Sequence, residues 1–361
     1  MAMDFMVWRS DLRACRASLV PGPGQIDLQP GQVLLRIDKF AFTPNNVAYA
    51  VQGDANYLNV FAAPEGWARI PVWGFADVVQ SRSDAIGIGE RYFGLFPMST
   101  HLVVRPERMS EAGFSDGSPH RATLQPVYNR YTHTATDPTY EQGREGEHML
   151  MLRLFMTSFL IDDFLADNGF FGAQVAVLSG AATKTAWGLA FLLSRRERLR
   201  FEVIGMASAA EAEFARSLGC YDRVLTHDEV ASLPGHLPAA YIDIEGIAPL
   251  RSELHHYYRN RMKHSCLVNA TQDPRETSGE LPGAAPCVFS ASDQIRKRTE
   301  DWGPGGLQQR FARAWRAFLT PLGGWMRVVN GRGPAEVERA YVEVLMGQSK
   351  PDEGQVLTLH P

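Results

Sequence analysis

Two periods alternate through the second half of the chain. Short apolar runs read as buried strands, and segments with apolar residues every three or four positions read as helices. The run Val175–Leu178 stops at Ser179-Gly180; a helical pattern then begins near Thr183, carries Trp187, Leu189, Phe191 and Leu192, and closes on Arg195, Arg196 and Arg198. The alternation goes on to predict strand Phe201–Met206, helix Ser208–Leu218 capped by Gly219, and strands Arg223–Leu225 and Ala239–Ile244. Helix Pro249–Met262 and strand Ser265–Ala270 follow. Strands alternating with long helices imply βαβ units and a parallel sheet, so the fold class is α/β.

The first hundred residues have a different texture. Gly31–Phe42 alternates Val33, Leu35 and Ile37 against polar neighbours, the mark of a half-buried strand. Thr43-Pro44-Asn45-Asn46 breaks it, because the residue before proline avoids the helical region, and Asn46–Gln52 is a short helix. Trp67–Arg82 and His101–Val104 add further strands to a β-rich module. Residues 105–145 read as a long irregular loop around the cluster Tyr128-Asn129-Arg130-Tyr131, and Glu147–Asn168 as a helix. Beyond the Pro/Gly-rich Asp273–Pro286, the pattern gives strand Val288–Ser290, helix Gly305–Thr320, strand Trp325–Asn330, helix Pro334–Met346 and strand Val356–Leu359.

Composition narrows the function. With 361 residues and 45% hydrophobic content, two domains or one large α/β body can form a sizeable core. A net charge of -4 provides no global field for nucleic acid or anionic lipid. Cys15, Cys220, Cys266 and Cys287 are scattered, without zinc spacing, and fit a reducing compartment. Early Asp4, Arg9 and Asp11 do not suit a secretory signal, and the apolar stretch Phe155–Phe164 is interrupted by Asp162 and Asp163. The expectation is a soluble cytoplasmic protein. His255 and His256 read as surface positions on a helix, and Arg195–Arg200 and Arg296-Lys297-Arg298 as solvated helix ends. Hydrolysis through a nucleophile elbow is unsupported, since Gly-x-Ser-x-Gly does not occur.

Three stretches resemble the medium-chain dehydrogenase/reductase superfamily: Gly31–Gly53, Ile70–Leu95 with its Gly89-Glu90-Arg91-Tyr92-Phe93-Gly94 turn, and Phe171–Leu225 with Ser217-Leu218-Gly219-Cys220. The chain is most similar to zinc-free, quinone-oxidoreductase-like members, and looks closest to an uncharacterised branch. The resemblance implies a β-rich GroES-like catalytic domain (1–146 and 305–361) and a Rossmann-type dinucleotide-binding domain (147–304). It implies hydride transfer from NADP, preferred over NAD, to an α,β-unsaturated carbonyl, quinone or acyl thioester, without zinc. Where relatives carry a zinc-binding cysteine this chain reads Phe42-Thr43-Pro44-Asn45-Asn46, and no Cys/His/Glu trio lies in order.

The cofactor-binding residues that follow are Gly180, Ala181, Ala182, Thr183, Lys184 and Thr185 on the turn, with Thr157, Ser158, Ser208, Thr271, Phe289 and Ser290 around it. Relatives place Gly-x-x-Gly-x-x-Gly on the turn; here those positions are Gly180, Thr183 and Ala186. Either the Thr183 hydroxyl and Lys184 ammonium then replace the backbone contacts, or the cofactor no longer binds; the plain alternative for Lys184 is that it points to solvent. The second strand ends Gly205-Met206-Ala207-Ser208 with no acid until Glu211, which favours NADP, with Ser208 as a phosphate ligand. Candidates for the oxyanion partner and proton donor are Asn45, Tyr49, Tyr128, Asn129 and Tyr131, with Asn46 beside them. Each has a plain alternative: a helix cap for Asn45, core aromatics for Tyr128 and Tyr131, a back-bonded hydroxyl for Thr157. Related proteins often dimerise through an edge strand, and Val288–Ser290 is such a strand. The rival readings are a cofactor-free binding protein that kept the fold, and a component working on a carrier-bound acyl group.

Overall fold

Strand β3 (Val33–Phe42) is the spine of the first half of the molecule. Val33, Leu35 and Ile37 face its core, and a bulge between Ile37 and Lys39 shifts the parity so that Phe40 and Phe42 join the same cluster. The computed structural model describes residues 1–51, 57–122, 124–196, 201–268, 280–303 and 305–361. They divide into unit 1, Met1–Leu150 with Met326–Pro361, and unit 2, Met151–Trp325.

Unit 1 contains two sheets among the described residues. One has the order β2 (Asp11–Leu19), β1 (Met3–Trp8), β4 (Trp67–Ala68). The other runs β17 (Arg327–Arg332), β18 (Glu353–Thr358), β3, β5 (Pro71–Ser81), β6 (Arg91–Pro97), β10 (Arg130–His133), β9 (Gly113–Asp116), β8 (Pro106–Ser110), with β7 (His101–Val104) also on β3. Helix α1 (Pro44–Val51) follows β3. β17 and β18 are parallel, and the last helix, α9 (Gly333–Leu345), buries Val337, Ala340, Tyr341 and Val344. Residues 105–145 are more regular than the sequence suggests, since they hold β8, β9, β10 and the single turn α2 (Pro126–Asn129). β8 is exposed from Glu107 to Ser110, so no apolar alternation marks it, and Pro106 and Pro126 open elements instead of breaking them.

Arg91 is the electrostatic centre of unit 1. Its guanidinium reaches Glu145 at 2.8 Å, Asp77 at 2.8 Å and Asp38 at 2.7 Å, and Lys39 adds a second cation to Glu145 at 2.8 Å. Burial pushes the Glu145 carboxyl up, but hydrogen bonds from Arg91 and Lys39 outweigh it and hold the group at about 2, below the ordinary 4.5. A depressed carboxyl adds stability that is complete above its unfolded pKa and is lost as pH falls through the folded one. Wild type should therefore lose roughly 1–2 kcal/mol more than Glu145→Gln between about pH 5 and pH 2. Urea midpoints measured across that range check this; parallel losses in the two proteins would refute it.

Unit 2 is a six-stranded parallel sheet among the described residues. Its order is β13 (Arg223–Thr226), β12 (Glu202–Ala207), β11 (Val175–Leu178), β14 (Ala239–Asp243), β15 (Met262–Leu267), β16 (Cys287–Val288). Its helices are α3 (Glu145–Asp167, from residue 151 on), α4 (Lys184–Ser194), α5 (Ala212–Ser217), α6 (Ala248–Tyr258), α7 (Ala291–Trp302) and α8 (Gly306–Trp325). The chain leaves unit 2 at 325/326 and not at 304/305, because α8 packs Phe311, Trp315 and Phe318 around Phe155, with ring centroids 5.9, 5.7 and 4.3 Å away.

Four local readings are corrected here. α6 stops at Tyr258 because Arg259 takes a φ of 49°, outside the helical region, and β15 begins at Met262. α7 is a helix the periodicity did not show, since its buried residues are Gln294 and Arg298. Arg298 is not a solvated helix end: it pairs with Asp163 at 2.6 Å and Asp167 at 3.0 Å. Arg196 likewise pairs with the buried Asp162 at 2.7 Å, while 197–200 lie outside the described residues. His255 is buried, not on the surface, with Nδ1 2.9 Å from the Pro282 carbonyl and Nε2 2.9 Å from Ser265 Oγ; His256 is exposed.

Candidate functional site

The turn after β11 has the shape the sequence proposes. Gly180 takes φ 62°, a left-handed conformation that costs glycine little. The Thr183 amide donates to the Gly180 carbonyl at 2.7 Å, closing the turn into α4. Thr183 is the N-cap, and its Oγ1 accepts the Ala186 amide at 3.4 Å, satisfying one of the orphan donors at the helix start. Lys184 opens the helix with its ammonium 5.2 Å from the Trp187 ring centroid. The turn lies tight on β12: the Ala181 amide donates to the Met206 carbonyl at 2.8 Å, and a Cβ on Gly205 would stand 2.7 Å from Ala181 Cβ.

A second loop, after β14, is pinned against this turn. Ser179 Oγ donates to Asp243 Oδ1 at 3.1 Å and accepts the Ile244 and Glu245 amides at 2.8 and 3.0 Å. Asp243 also accepts the Gly246 amide at 2.8 Å and Arg251 Nη1 at 2.6 Å, in a pair buried from solvent. Glu245 therefore lies over the turn. Its Cβ stands 3.4 Å from where a Gly180 Cβ would lie, and its Oε2 is 3.4 Å from His227 Nε2 beyond the end of β13. Burial, together with the charges of Glu211 and Asp243, pushes the Glu245 carboxyl up, with His227 and the Gly180 amide working the other way.

The other expected cofactor residues scatter around this core. Ser158 Oγ donates to the Thr185 carbonyl at 2.7 Å, which ties α3 to the start of α4, and Ala181, Ala182 and Thr185 are buried. Ser208 Oγ donates to Glu211 Oε2 at 2.6 Å at the end of β12. Thr157 back-bonds to the Arg153 carbonyl within its helix. Phe289 packs on Phe164 with centroids 5.7 Å apart, and Ser290 caps α7 by accepting the Asp293 amide. Thr271 lies outside the described residues.

In unit 1 the structure gathers some of the expected polar residues and separates others. Asn46, not the exposed Asn45, is built in: its Oδ1 accepts the Thr43 amide at 2.8 Å and its Nδ2 donates to the Pro71 carbonyl at 2.8 Å. Tyr57, which the sequence reading passed over, donates to the same carbonyl at 2.8 Å and accepts from Asn46 Nδ2 at 3.2 Å. Its ring lies 5.2 Å from that of Tyr49, and both Tyr49 and Tyr128 act on its hydroxyl, which burial pushes well above the ordinary tyrosine range. Tyr128 faces Trp73 at 6.3 Å. Tyr49, Tyr57, Trp73 and Tyr128 thus form a half-buried aromatic wall. Tyr131 is instead core: it is fully buried, stacks on Phe114, accepts from Arg121 at 2.7 Å and donates to the Leu95 carbonyl at 3.0 Å. Asn129 donates from Nδ2 to the Asp116 carbonyl at 2.7 Å, while its Oδ1 is buried without a hydrogen-bond donor among the described residues.

Among the described residues, no three His, Cys, Asp or Glu side chains converge as a metal site, and no helix is long and apolar enough to cross a membrane. A β-rich, mainly antiparallel unit and a six-stranded parallel unit, with a glycine turn after the central strand, are the fold of the medium-chain dehydrogenase/reductase superfamily. Within that fold, the chain belongs to the family of proteins of unknown function DUF2855, whose model matches residues 40–350. Among similar solved structures is CurA from Vibrio vulnificus in complex with NADPH, at TM-score 0.62 and 12% identity over 100% of both chains. Another is a mycobacterial protein complexed with NADPH, at TM-score 0.58 and 13% identity over 99% of this chain and 100% of that one. A third, the quinone oxidoreductase from Coxiella burnetii, has a TM-score of 0.53 and 12% identity over 99% of each. No curated protein sequence matches the chain.

Proposed function

We propose that the chain is a zinc-independent, NADP-dependent oxidoreductase of the medium-chain type, acting on an α,β-unsaturated carbonyl, quinone or acyl thioester. The observation that carries this reading is the left-handed Gly180 turn, which delivers β11 into α4 at the carboxyl end of a parallel sheet. A helix start there suits a diphosphate, because its amides and dipole favour an anion. The NADPH bound to the Vibrio vulnificus and mycobacterial relatives supports the choice of cofactor. The residues present fit such a group in handedness, in the helix start and in the lysine that opens it; they conflict with it at Thr183, which replaces a glycine of the turn, at Glu245 beside Gly180, and at Glu211, which engages Ser208.

Bound NADPH supplies the hydride; the rest falls to this chain. The α4 start and Lys184 hold the diphosphate. Thr183 keeps the helix end capped, and Ser158 fixes α3 on α4. On unit 1, Tyr49, Tyr57 and Tyr128 offer tilted aromatic rings with hydroxyls, Tyr49 and Tyr57 inclined at 41°, and Asn46 holds Tyr57 in place. That wall suits a planar conjugated acceptor, with a tyrosine hydroxyl donating to its carbonyl oxygen.

Thermal melts with NADPH test the reading. A ligand at about 100 times its Kd stabilises the folded state by roughly 2.7 kcal/mol, so millimolar NADPH should raise the melting temperature by several degrees. Lys184→Ala should shrink that rise; an unchanged rise would take the lysine out of the site. No response to millimolar NADPH or NADH would refute the oxidoreductase reading. Glu245, seated against the Gly180 turn, favours a second reading, a cofactor-free binding protein that kept the fold, which predicts that silence.

A further inference from the structure

The four cysteines are far apart in the sequence, and the fold brings two of them side by side. β15 and β16 run parallel at one edge of the unit 2 sheet, with Cys266 opposite Cys287 and Leu267 opposite Val288. The Phe289 amide donates to the Leu267 carbonyl at 2.9 Å and fixes that register. Residues paired in this way have Cα atoms about 4.8 Å apart, inside the span of roughly 4.4–6.8 Å that a disulfide bridges. Both side chains lie on one face of the sheet. His264, two residues before Cys266 on β15, shares its face, and His264 Nε2 stands 4.0 Å from Cys287 Sγ. That Sγ is turned towards β15, where it donates to the Ser265 carbonyl at 3.4 Å. Both thiols are free; Cys266 is fully buried and Cys287 is exposed.

We propose that Cys266 and Cys287 are a dithiol modification site, which a small organic disulfide oxidises to a bridge between β15 and β16. Cys287, the exposed thiol, attacks one sulfur of the reagent. A mixed disulfide forms on Cys287, the reagent's own S–S bond breaks, and one reagent thiol leaves. Cys266 Sγ then attacks Cys287 Sγ, the mixed disulfide breaks, and the second reagent thiol leaves. The cysteines lose two electrons, the reagent gains them, and the two cysteine protons end on the two released thiols. Burial raises both cysteine thiols above their ordinary value, which slows the first step; the second gains from a nucleophile already seated on the neighbouring strand. The bridge closes a ring of about twenty residues and ties the edge strand β16 to the body of the sheet. Cys15 stands opposite Val7 in unit 1, and Cys220 lies between α5 and β13, so neither has this geometry. The reaction needs no nucleotide.

In the experiment, the full-length protein is incubated with oxidised glutathione, its remaining thiols are alkylated, and its peptides are mapped by mass spectrometry. The expected product is a single Cys266–Cys287 cross-link, lighter than the free pair by two hydrogens, with Cys220 alkylated. Cys266→Ala should stop the reaction halfway and leave glutathione on Cys287. Cys287→Ser should abolish the bridge and leave Cys266 unmodified. The bridged protein should melt roughly 5–10 °C above the reduced protein, the gain from closing a ring of that size, and dithiothreitol should reverse the shift. Cys287→Ser should show no such shift with oxidised glutathione. Four results would overturn the proposal: glutathione persisting on Cys287 while Cys266 is present, a bridge to Cys15 or Cys220, a Cys266–Cys287 bridge that forms only in urea, or a pair that stays reduced in a large excess of the reagent.

Discussion

Asp243→Ala is expected to destabilise unit 2 by roughly 3–5 kcal/mol, because it strips a buried guanidinium of its carboxylate. Both partners are almost free of solvent, and Arg251 Nη1 lies 2.6 Å from Asp243 Oδ2. The other carboxylate oxygen accepts Ser179 Oγ and the Gly246 amide, so the same change loosens the link between the two loops at the turn. In a unit of this size the loss amounts to a drop of roughly 10 °C in melting temperature. Replacing both partners, as Asp243→Ala with Arg251→Met, should recover part of it, since the cost lies in the orphaned charge more than in the missing attraction. Circular-dichroism melts of the single and double variants measure this. A single-variant loss below about 1 kcal/mol, the range of an exposed pair, would show that the pair is not buried as described.

Arg121→Ala is expected to do similar damage to unit 1, again roughly 3–5 kcal/mol. Arg121 is 1% exposed, and its Nη1 meets both Tyr131 Oη at 2.7 Å and Asp116 Oδ2 at 3.4 Å. Its Nη2 donates to the Tyr128 carbonyl at 2.7 Å, so the residue ties the aromatic wall to the sheet beneath it. The planar fork serves several acceptors at once, which an ammonium cannot do, so Arg121→Lys should recover little. Urea unfolding followed by tryptophan fluorescence reports the loss, because Trp73 stands next to Tyr128. Full stability in Arg121→Lys would mean that charge alone is what the site requires.

What could be read in the sequence was whatever is encoded locally. The β11–turn–α4 unit lies within twenty or so consecutive residues, its apolar run and its periodicity are unmixed, and the structure reproduces it with Thr183 as the cap. α7 escaped notice because ion pairs, not an apolar stripe, anchor it, and ion pairs leave no period. The strands of residues 105–145 escaped because β8 shows its side chains to solvent and β9 and β10 are too short to alternate visibly. At the candidate site, Gly180 was legible and the acid beside it was not. Glu245 reaches Gly180 through the parallel pairing of β11 with β14, where Leu178 stands opposite Ile242, a relation that spacing along the chain does not carry. Glu211 was read as too late to serve the second strand's end, yet the turn into α5 folds it back onto Ser208. Asn46 and Tyr57 converge on the Pro71 carbonyl, a backbone acceptor that no side-chain motif reveals.

β18 lies between β17 and β3, pairing Gln355, Val356 and Leu357 with Phe42, Ala41 and Phe40. Contacts around it join distant parts of the chain: Tyr341 donates to the Leu12 carbonyl across a separation of 329 residues, and His360 Nε2 meets the Ile37 carbonyl across 323. On the ribosome, unit 2 emerges whole as one continuous stretch before the missing strand of unit 1 has been synthesised. Until then the Phe40–Phe42 edge of β3 presents bare backbone donors and acceptors, an invitation to intermolecular pairing that a nascent chain must be shielded from. Birth order and completion order are thus reversed: the module begun second is finished first.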